Sequence, residues 1–251
     1  MTEAAFNPFS LEGRQILVTG ASSGIGEATA RLCANMGARV FACGRNEERL
    51  NKVVSELAGA GHQAIVGDLT DPAARQLVVD AVPSLDGCVF SAGTAALAPM
   101  RLLSQKHLDA MFAVNYNAPV LLTQALLAKR RIAHGASMVY VTSIAQHVTP
   151  NATAAYAGAK AALTASVRIM ALEGAKHGIR ANCVSPGYVA TPMLDGLEDV
   201  MNPEQLAATA PLGMIEPDEI AAGIAWLLAP ASRWVSRTTL LIDSGQTLHV
   251  R

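Results

Sequence analysis

Residues 19–26, Thr19-Gly20-Ala21-Ser22-Ser23-Gly24-Ile25-Gly26, leave few folds open to this chain. The apolar run Ile16-Leu17-Val18 before them reads as a buried parallel strand. After them Ile25, Ala28, Thr29, Leu32 and Met36 recur at helical spacing, and Gly37 closes the helix. A glycine-rich turn between strand and helix sets bare backbone beside a helix N-terminus. The free N–H groups and positive dipole end found there suit a pyrophosphate. A tight strand-to-helix turn uses glycines too, so the rest of the chain must choose.

The pattern repeats along the chain. A strand over 39–43 ends at Gly44-Arg45-Asn46, where Asn46 caps a helix burying Leu50, Val53, Val54 and Leu57. A strand over 63–66 stops at Gly67-Asp68-Leu69, and Asp71-Pro72 opens the next helix. A fourth strand, 87–91, leads into Ala92-Gly93. The spacing then predicts one long helix over 104–127 with Asn115 inside it, a strand over 138–142, a helix over 153–176 and a strand over 180–184. A late helix opens at Glu216-Pro217, and 239–242 closes the sheet. Strands that are nearly continuous apolar runs, alternating with helices, predict an α/β fold: one doubly wound parallel sheet flanked by helices. No linker divides it, so 1–251 is expected to be a single domain. The stretch 191–212, rich in Met, Leu and Glu, matches no element and reads as a substrate lid or a packed helical pair.

Apolar residues make up 51% and charged ones 16%, which supports a large core. Nineteen basic against 20 acidic residues give no reason to expect nucleic acid or an anionic membrane as partner. Cys33, Cys43, Cys88 and Cys183 are widely spaced in apolar surroundings, so neither a disulfide framework nor a metal site is expected. No run approaches the ~20 apolar residues of a membrane span, and 1–10 lacks the features of a signal peptide. A cytoplasmic protein is expected.

Two further groups carry chemistry. In dinucleotide-binding units an acid at the second strand tip bonds the adenosine ribose 2′-hydroxyl, whereas an Arg there accommodates a 2′-phosphate. Arg45 stands at that tip, with Ser22 and Ser23 in the glycine loop, so NADP(H) is expected over NAD(H). Asp68, at the next tip, would face the adenine edge. Tyr156 and Lys160, at i and i+4, share one helix face. A Lys cation favours phenolate and lowers the phenol pKa, as acid–base work requires. Ser143, just past a strand tip, would hold a carbonyl oxygen. Each residue alone has a plain structural use, as cap, packing group or surface charge.

Taken together, Thr19-Gly-x-x-x-Gly-x-Gly26, Ser143, Tyr156-x-x-x-Lys160 and Pro186-Gly187 resemble the short-chain dehydrogenase/reductase family, over roughly residues 11–245. The resemblance implies a Rossmann-like fold and hydride transfer between NADP(H) and a carbonyl or secondary alcohol. It implies Tyr156 as acid/base and Lys160 as the residue that lowers its pKa and bonds the nicotinamide ribose. Ser143 would position the substrate oxygen, and Asn115 would hold a relay water. Cofactor contacts would come from Gly20, Ser22, Ser23, Gly24, Ile25, Gly26, Arg45, Asp68, Leu69, Ala92, Gly93, Tyr156, Lys160, Val189 and Thr191. Ser91-Ala92-Gly93 stands where the family more often has Asn-Ala-Gly, and Asp243-Ser244-Gly245 where it has Asp-Gly-Gly.

For substrate, Ala145, Gln146, His147, Thr153, Tyr188, Met193, Leu194 and Met201 are candidate wall residues, mostly apolar. Pro211-Leu212-Gly213 and Pro217-Asp218-Glu219 look like the 3-oxoacyl carrier-protein reductases of the family. Lys129-Arg130-Arg131 would receive an acidic carrier protein, or simply complement a helix C-terminus. Family members commonly pair their long helices into dimers and tetramers, and a homotetramer or homodimer is expected. Two other readings stay open: an NAD-linked alcohol dehydrogenase, which calls for a carboxylate near position 44, and a catalytically silent cofactor-binding regulator.

Overall fold

The computed structural model describes residues 7–195 and 209–249. Seven strands, β1 (Gln15–Thr19), β2 (Arg39–Gly44), β3 (Gln63–Val66), β4 (Leu85–Phe90), β5 (Ile132–Val141), β6 (Arg180–Pro186) and β7 (Thr239–Ile242), form one parallel sheet in the order β3-β2-β1-β4-β5-β6-β7. The order reverses between β1 and β4, which opens a crevice at their carboxyl ends, where ligands bind in such sheets.

Side chains alternate across the strands and so feed two cores. Ile16, Val18, Val40, Val89, Val139 and Val184 pack with α1 (Gly24–Asn35), α2 (Glu47–Ser55) and α9 (Pro217–Leu228). Leu17, Phe41, Cys88, Phe90, Met138 and Tyr140 pack with α3 (Pro72–Ala81), α5 (Ala118–Ala128) and α7 (Ala154–Gly174). Burial on both faces explains why the strands read as unbroken apolar runs. Phe90 and Tyr140 stack at 4.4 Å, and the Tyr140 hydroxyl meets Thr123 Oγ1 at 2.8 Å, so this buried phenol is not left unpaired. The expected caps form. Asn46 Oδ1 accepts from the Arg49 N–H at 2.8 Å and Asp71 Oδ1 from Ala73 at 2.9 Å, while Glu216 and Glu219 close a capping box. All four cysteines are free and buried; burial pushes the thiols of Cys33 and Cys43 up to about 12 and that of Cys183 to about 11.

Two expectations need correcting. The long helix over 104–127 is broken into α4 (Gln105–Phe112), a π-helical turn (Ala113–Asn117) and α5. Pro119 has no N–H, so it cannot give the Asn115 carbonyl its i+4 hydrogen bond, and the ladder re-registers there. Strand β5 begins at Ile132 rather than 138. Its first residues, including Gly135 at φ 78°, pair with β4 across an irregular register.

Candidate active site

The strand tips converge on a cavity of about 680 Å³ that runs from the glycine loop to Leu194. At its floor Thr19 Oγ1 donates to the Val89 carbonyl and accepts from the N–H groups of Ser91 and Ala92 at 3.2 and 3.3 Å. This ties the tips of β1 and β4 together. The backbones lie so close that a Cβ on Gly20, which has φ 70°, would sit 2.8 Å from Ala92 Cα. A Cβ on Gly26 would collide with the Gly20 carbonyl. Helix α1 starts here at Ser23 without a side-chain cap. A bare, uncapped helix N-terminus over a glycine cradle fits a dinucleotide pyrophosphate.

At the far end, Arg45 lies 3.8 Å from Asp68, both substantially exposed. Hydrogen bonds from Thr70, and then the Arg45 charge, hold the Asp68 carboxyl below its ordinary range. Asp68 therefore caps its own turn and partners Arg45. Such an exposed pair is weak, which leaves the guanidinium available to an anion. Leu69 lines the same end, as does Arg49, one helical turn beyond Arg45. Sequence reasoning missed Arg49, although its spacing from Arg45 was visible.

The reactive end brings Ser143, Tyr156, Lys160 and Asn115 to one wall of the cavity. Their relations differ from expectation. Lys160 is buried and donates to the Val141 carbonyl at 2.9 Å, with Nζ 5.7 Å from the Tyr156 ring centre. Burial lowers the Lys160 pKa to about 8. Burial likewise raises the Tyr156 pKa, only partly offset by a hydrogen bond from Ser143 that favours phenolate. The direction of the Tyr156 shift is thus set by desolvation, opposite to the lowering expected from Lys160. Asn115 is fully buried in the π turn, and its amide is occupied. Its Nδ2 donates to the Thr94 and Met111 carbonyls at 2.9 and 3.0 Å, and Oδ1 accepts from the Thr94 N–H at 3.3 Å. The side chain braces the loop after Gly93; it has no free polar atom for a water.

A pH dependence follows from Lys160. Its native pKa of about 8 lies below the ordinary 10.5, so the unfolded chain binds more protons between these values. The penalty for burying the ammonium is full below pH 8 and fades as pH rises toward ~10.5. The melting temperature of wild type relative to Lys160→Met should therefore rise over that window. A flat difference would show that Lys160 is not desolvated.

The segment Pro186–Thr191 crosses the cavity and is pinned from the C-terminal side. Gly187 N–H donates to the Ile242 carbonyl at 2.9 Å, Tyr188 N–H to Gln246 Oε1 at 3.0 Å and Ala190 N–H to the Ile215 carbonyl at 2.9 Å. Val189 and Thr191 both line the cavity, as do Ser22, Ser23, Gly24, Ile25, Ala92 and Gly93. Ser244 adopts φ 55°, and its Oγ accepts from the Leu212 N–H at 3.0 Å.

Of the expected wall residues, Ala145, Thr153, Tyr188, Met193 and Leu194 line the cavity. Gln146 and His147 do not; the short helix α6 (Ala145–Val148) turns Gln146 toward α7, where its Oε1 accepts from Thr164 Oγ1 at 2.7 Å. Met201 and most of 191–212 fall outside the described residues; Pro192–Asp195 there form the short helix α8. Ala95, Leu97 and Pro150 complete the wall. The basic triplet Lys129–Arg131 lies at the opposite, amino edge of the sheet, where the Arg131 carbonyl accepts from the N–H of Leu85 at the start of β4. Arg131 Nε is tied to the Val79 carbonyl at 3.1 Å. The triplet therefore faces away from the cavity, contrary to a role in docking a carrier protein at its mouth.

Residues 20–247 match the family model described as Enoyl-(Acyl carrier protein) reductase. A D-threitol dehydrogenase of Mycolicibacterium smegmatis is 34% identical over 96% of this chain and 95% of its own. A tropinone reductase homolog of Arabidopsis thaliana is 32% identical over 96% and 81%. Among solved structures, a dehydrogenase/reductase from Sinorhizobium meliloti 1021 superposes with a TM-score of 0.88 at 33% identity, covering 95% of this chain and 97% of that one. An actinorhodin polyketide ketoreductase variant crystallised with NADPH gives 0.87 at 27% identity, covering 94% and 97%.

Proposed function

The chain belongs to the short-chain dehydrogenase/reductase family and is an oxidoreductase of the CH–OH/carbonyl class, and from that premise we propose that it is an NADP(H)-dependent reductase of a ketone or 3-oxoacyl compound. The observation that carries this reading is the convergence of Ser143, Tyr156 and Lys160 on one end of a cavity whose other end is the glycine cradle with Arg45. A relative crystallised with NADPH, and the lack of any carboxylate in Gly44-Arg45-Asn46, support NADP(H) over NAD(H). NADPH, when bound, supplies the hydride. Ser143 donates a hydrogen bond to the substrate oxygen and orients it. The Tyr156 phenol, kept protonated by burial, gives that oxygen its proton. The Lys160 ammonium steadies the phenolate left behind. Tyr156 regains its proton through water, and on this route the group beside Asn115 that can hold a water is its main-chain carbonyl, which Pro119 deprives of its i+4 donor.

A homotetramer, or a homodimer, belongs to the same reading. Leu121 on α5 and Ile169 and Leu172 on α7 are 43%, 51% and 61% exposed, an apolar set on the two long helices. A cytoplasmic setting is supported by four unpaired buried cysteines. No helix among the described residues is long and apolar enough to cross a membrane.

The deciding experiment is a fluorescence titration with NADPH and NADH, followed by a panel of ketones and 3-oxoacyl thioesters. Tight NADPH binding with oxidation by a panel member is expected; tight binding without turnover of any member would favour a silent regulator. Arg45→Asp removes the cation and adds a repelling charge, so it should weaken NADPH by roughly 10²-fold while leaving NADH within a few-fold. Unchanged preference would remove Arg45 from the 2′-phosphate site.

A further inference from the structure

Resting on that reductase reading, the wall of the cavity narrows the substrate further. Beyond Ser143 and Tyr156 the reactive end is lined by Ala95, Leu97, Ala145, Pro150, Met193 and Leu194, none with an ionised or hydrogen-bonding side chain. Polar groups join them, of which Asn115 and Thr142 are already bonded to main-chain carbonyls. Thr153 already donates its hydroxyl hydrogen to the Pro150 carbonyl at 2.6 Å, and Tyr188 offers a half-buried phenol. The charged side chains that line the cavity lie elsewhere: Arg45, Arg49 and Asp68 at the tips of β2 and β3, and Lys160 against the Val141 carbonyl. Residues 196–208 contain no Lys, Arg or His, so that segment supplies no cation whatever its position.

We infer that the substrate is an uncharged carbonyl compound with apolar flanks, and that the site rejects carboxylates. One carbonyl oxygen is fully served by Ser143 and Tyr156. A carboxylate entering this end would leave its water and meet methyl and methylene groups, with no free cation among the described residues there and none in 196–208 to replace the lost solvation. An apolar pocket turns away an added hydroxyl by about 100-fold, and a charge is the heavier load.

The test compares methyl acetoacetate with acetoacetate, which share the 3-oxo skeleton and differ in charge. Both kcat/KM for NADPH oxidation and affinity for the enzyme–NADPH complex are read. The ester should be favoured by about 100-fold or more. An ester preference of tenfold or less would overturn the inference. Should neither ketone turn over, the reductase reading fails for these compounds, while the binding ratio still decides the charge preference. Leu97→Arg, which adds a cation to the wall, should move the ratio at least tenfold toward acetoacetate with NADPH affinity unchanged. A ratio that does not move, in a variant that still binds NADPH, would overturn the assigned wall.

Discussion

Replacing Tyr156 by Phe should lower kcat by at least ~10²-fold, and toward ~10⁴-fold, while NADPH affinity stays within a few-fold of wild type. The substitution removes one hydroxyl and keeps the ring. Lys160, 5.7 Å from the ring centre and anchored on the Val141 carbonyl, keeps both neighbours. The packing that shapes the cavity is therefore preserved, and the lost activity reports the proton donor alone. Ser143 would still orient the carbonyl, so the residual rate measures positioning without acid catalysis. Steady-state kinetics beside a fluorescence titration separate the two effects. Turnover within tenfold of wild type would mean that another group, or water, delivers the proton.

Gly26→Ala should be the most damaging single methyl in the chain. The added Cβ meets the Gly20 carbonyl, which is backbone and has no rotamer in which to escape. Gly20 cannot retreat either, because Ala92 lies directly behind it and Thr19 Oγ1 holds the Ala92 N–H. Overpacking of this kind costs about 1–3 kcal/mol, and here the strain falls on the cradle itself. Expected are a lower melting temperature and a loss of NADPH affinity of at least tenfold. Gly158→Ala is the matched control, since its nearest neighbour would be Phe112 at 3.9 Å. In mid-helix that change should add roughly 0.5–1 kcal/mol. Equal effects of the two substitutions would contradict the packing described for the glycine loop.

The architecture was largely written in local pattern. Strands buried on both faces announce themselves as apolar runs, and Asn46, Asp71 and Glu216 mark helix starts because each satisfies free N–H groups of the first turn. The grouping of Ser143, Tyr156 and Lys160 was legible from a strand tip and an i, i+4 pair. Less was legible where tertiary structure overrides local signal. Apolar periodicity runs unbroken through Ala113–Asn117, and the π turn depends on Pro119 together with the ties between Asn115 and Thr94. Pro119 was a signal available to a reader who gave it full weight. The sense of the Tyr156 and Lys160 shifts was not available, because helical spacing sets proximity and says nothing of the water removed around both groups. Ala95 and Leu97 carried no mark at all, since small apolar loop residues become a wall only once the fold closes over them.

The pinning of Pro186–Thr191 by Ile242 and Gln246 sets a timetable for the newborn chain. The glycine loop is complete early in the chain, yet two of the ties that hold the opposite wall of the crevice come from partners more than 50 residues downstream, Ile242 for Gly187 and Gln246 for Tyr188. Until β7 has joined β6 and Gln246 has reached Tyr188, this jaw of the site keeps its tie to Ile215 but lacks those two. A chain that stops short of β7 thus presents the glycine turn with its opposing wall only partly held.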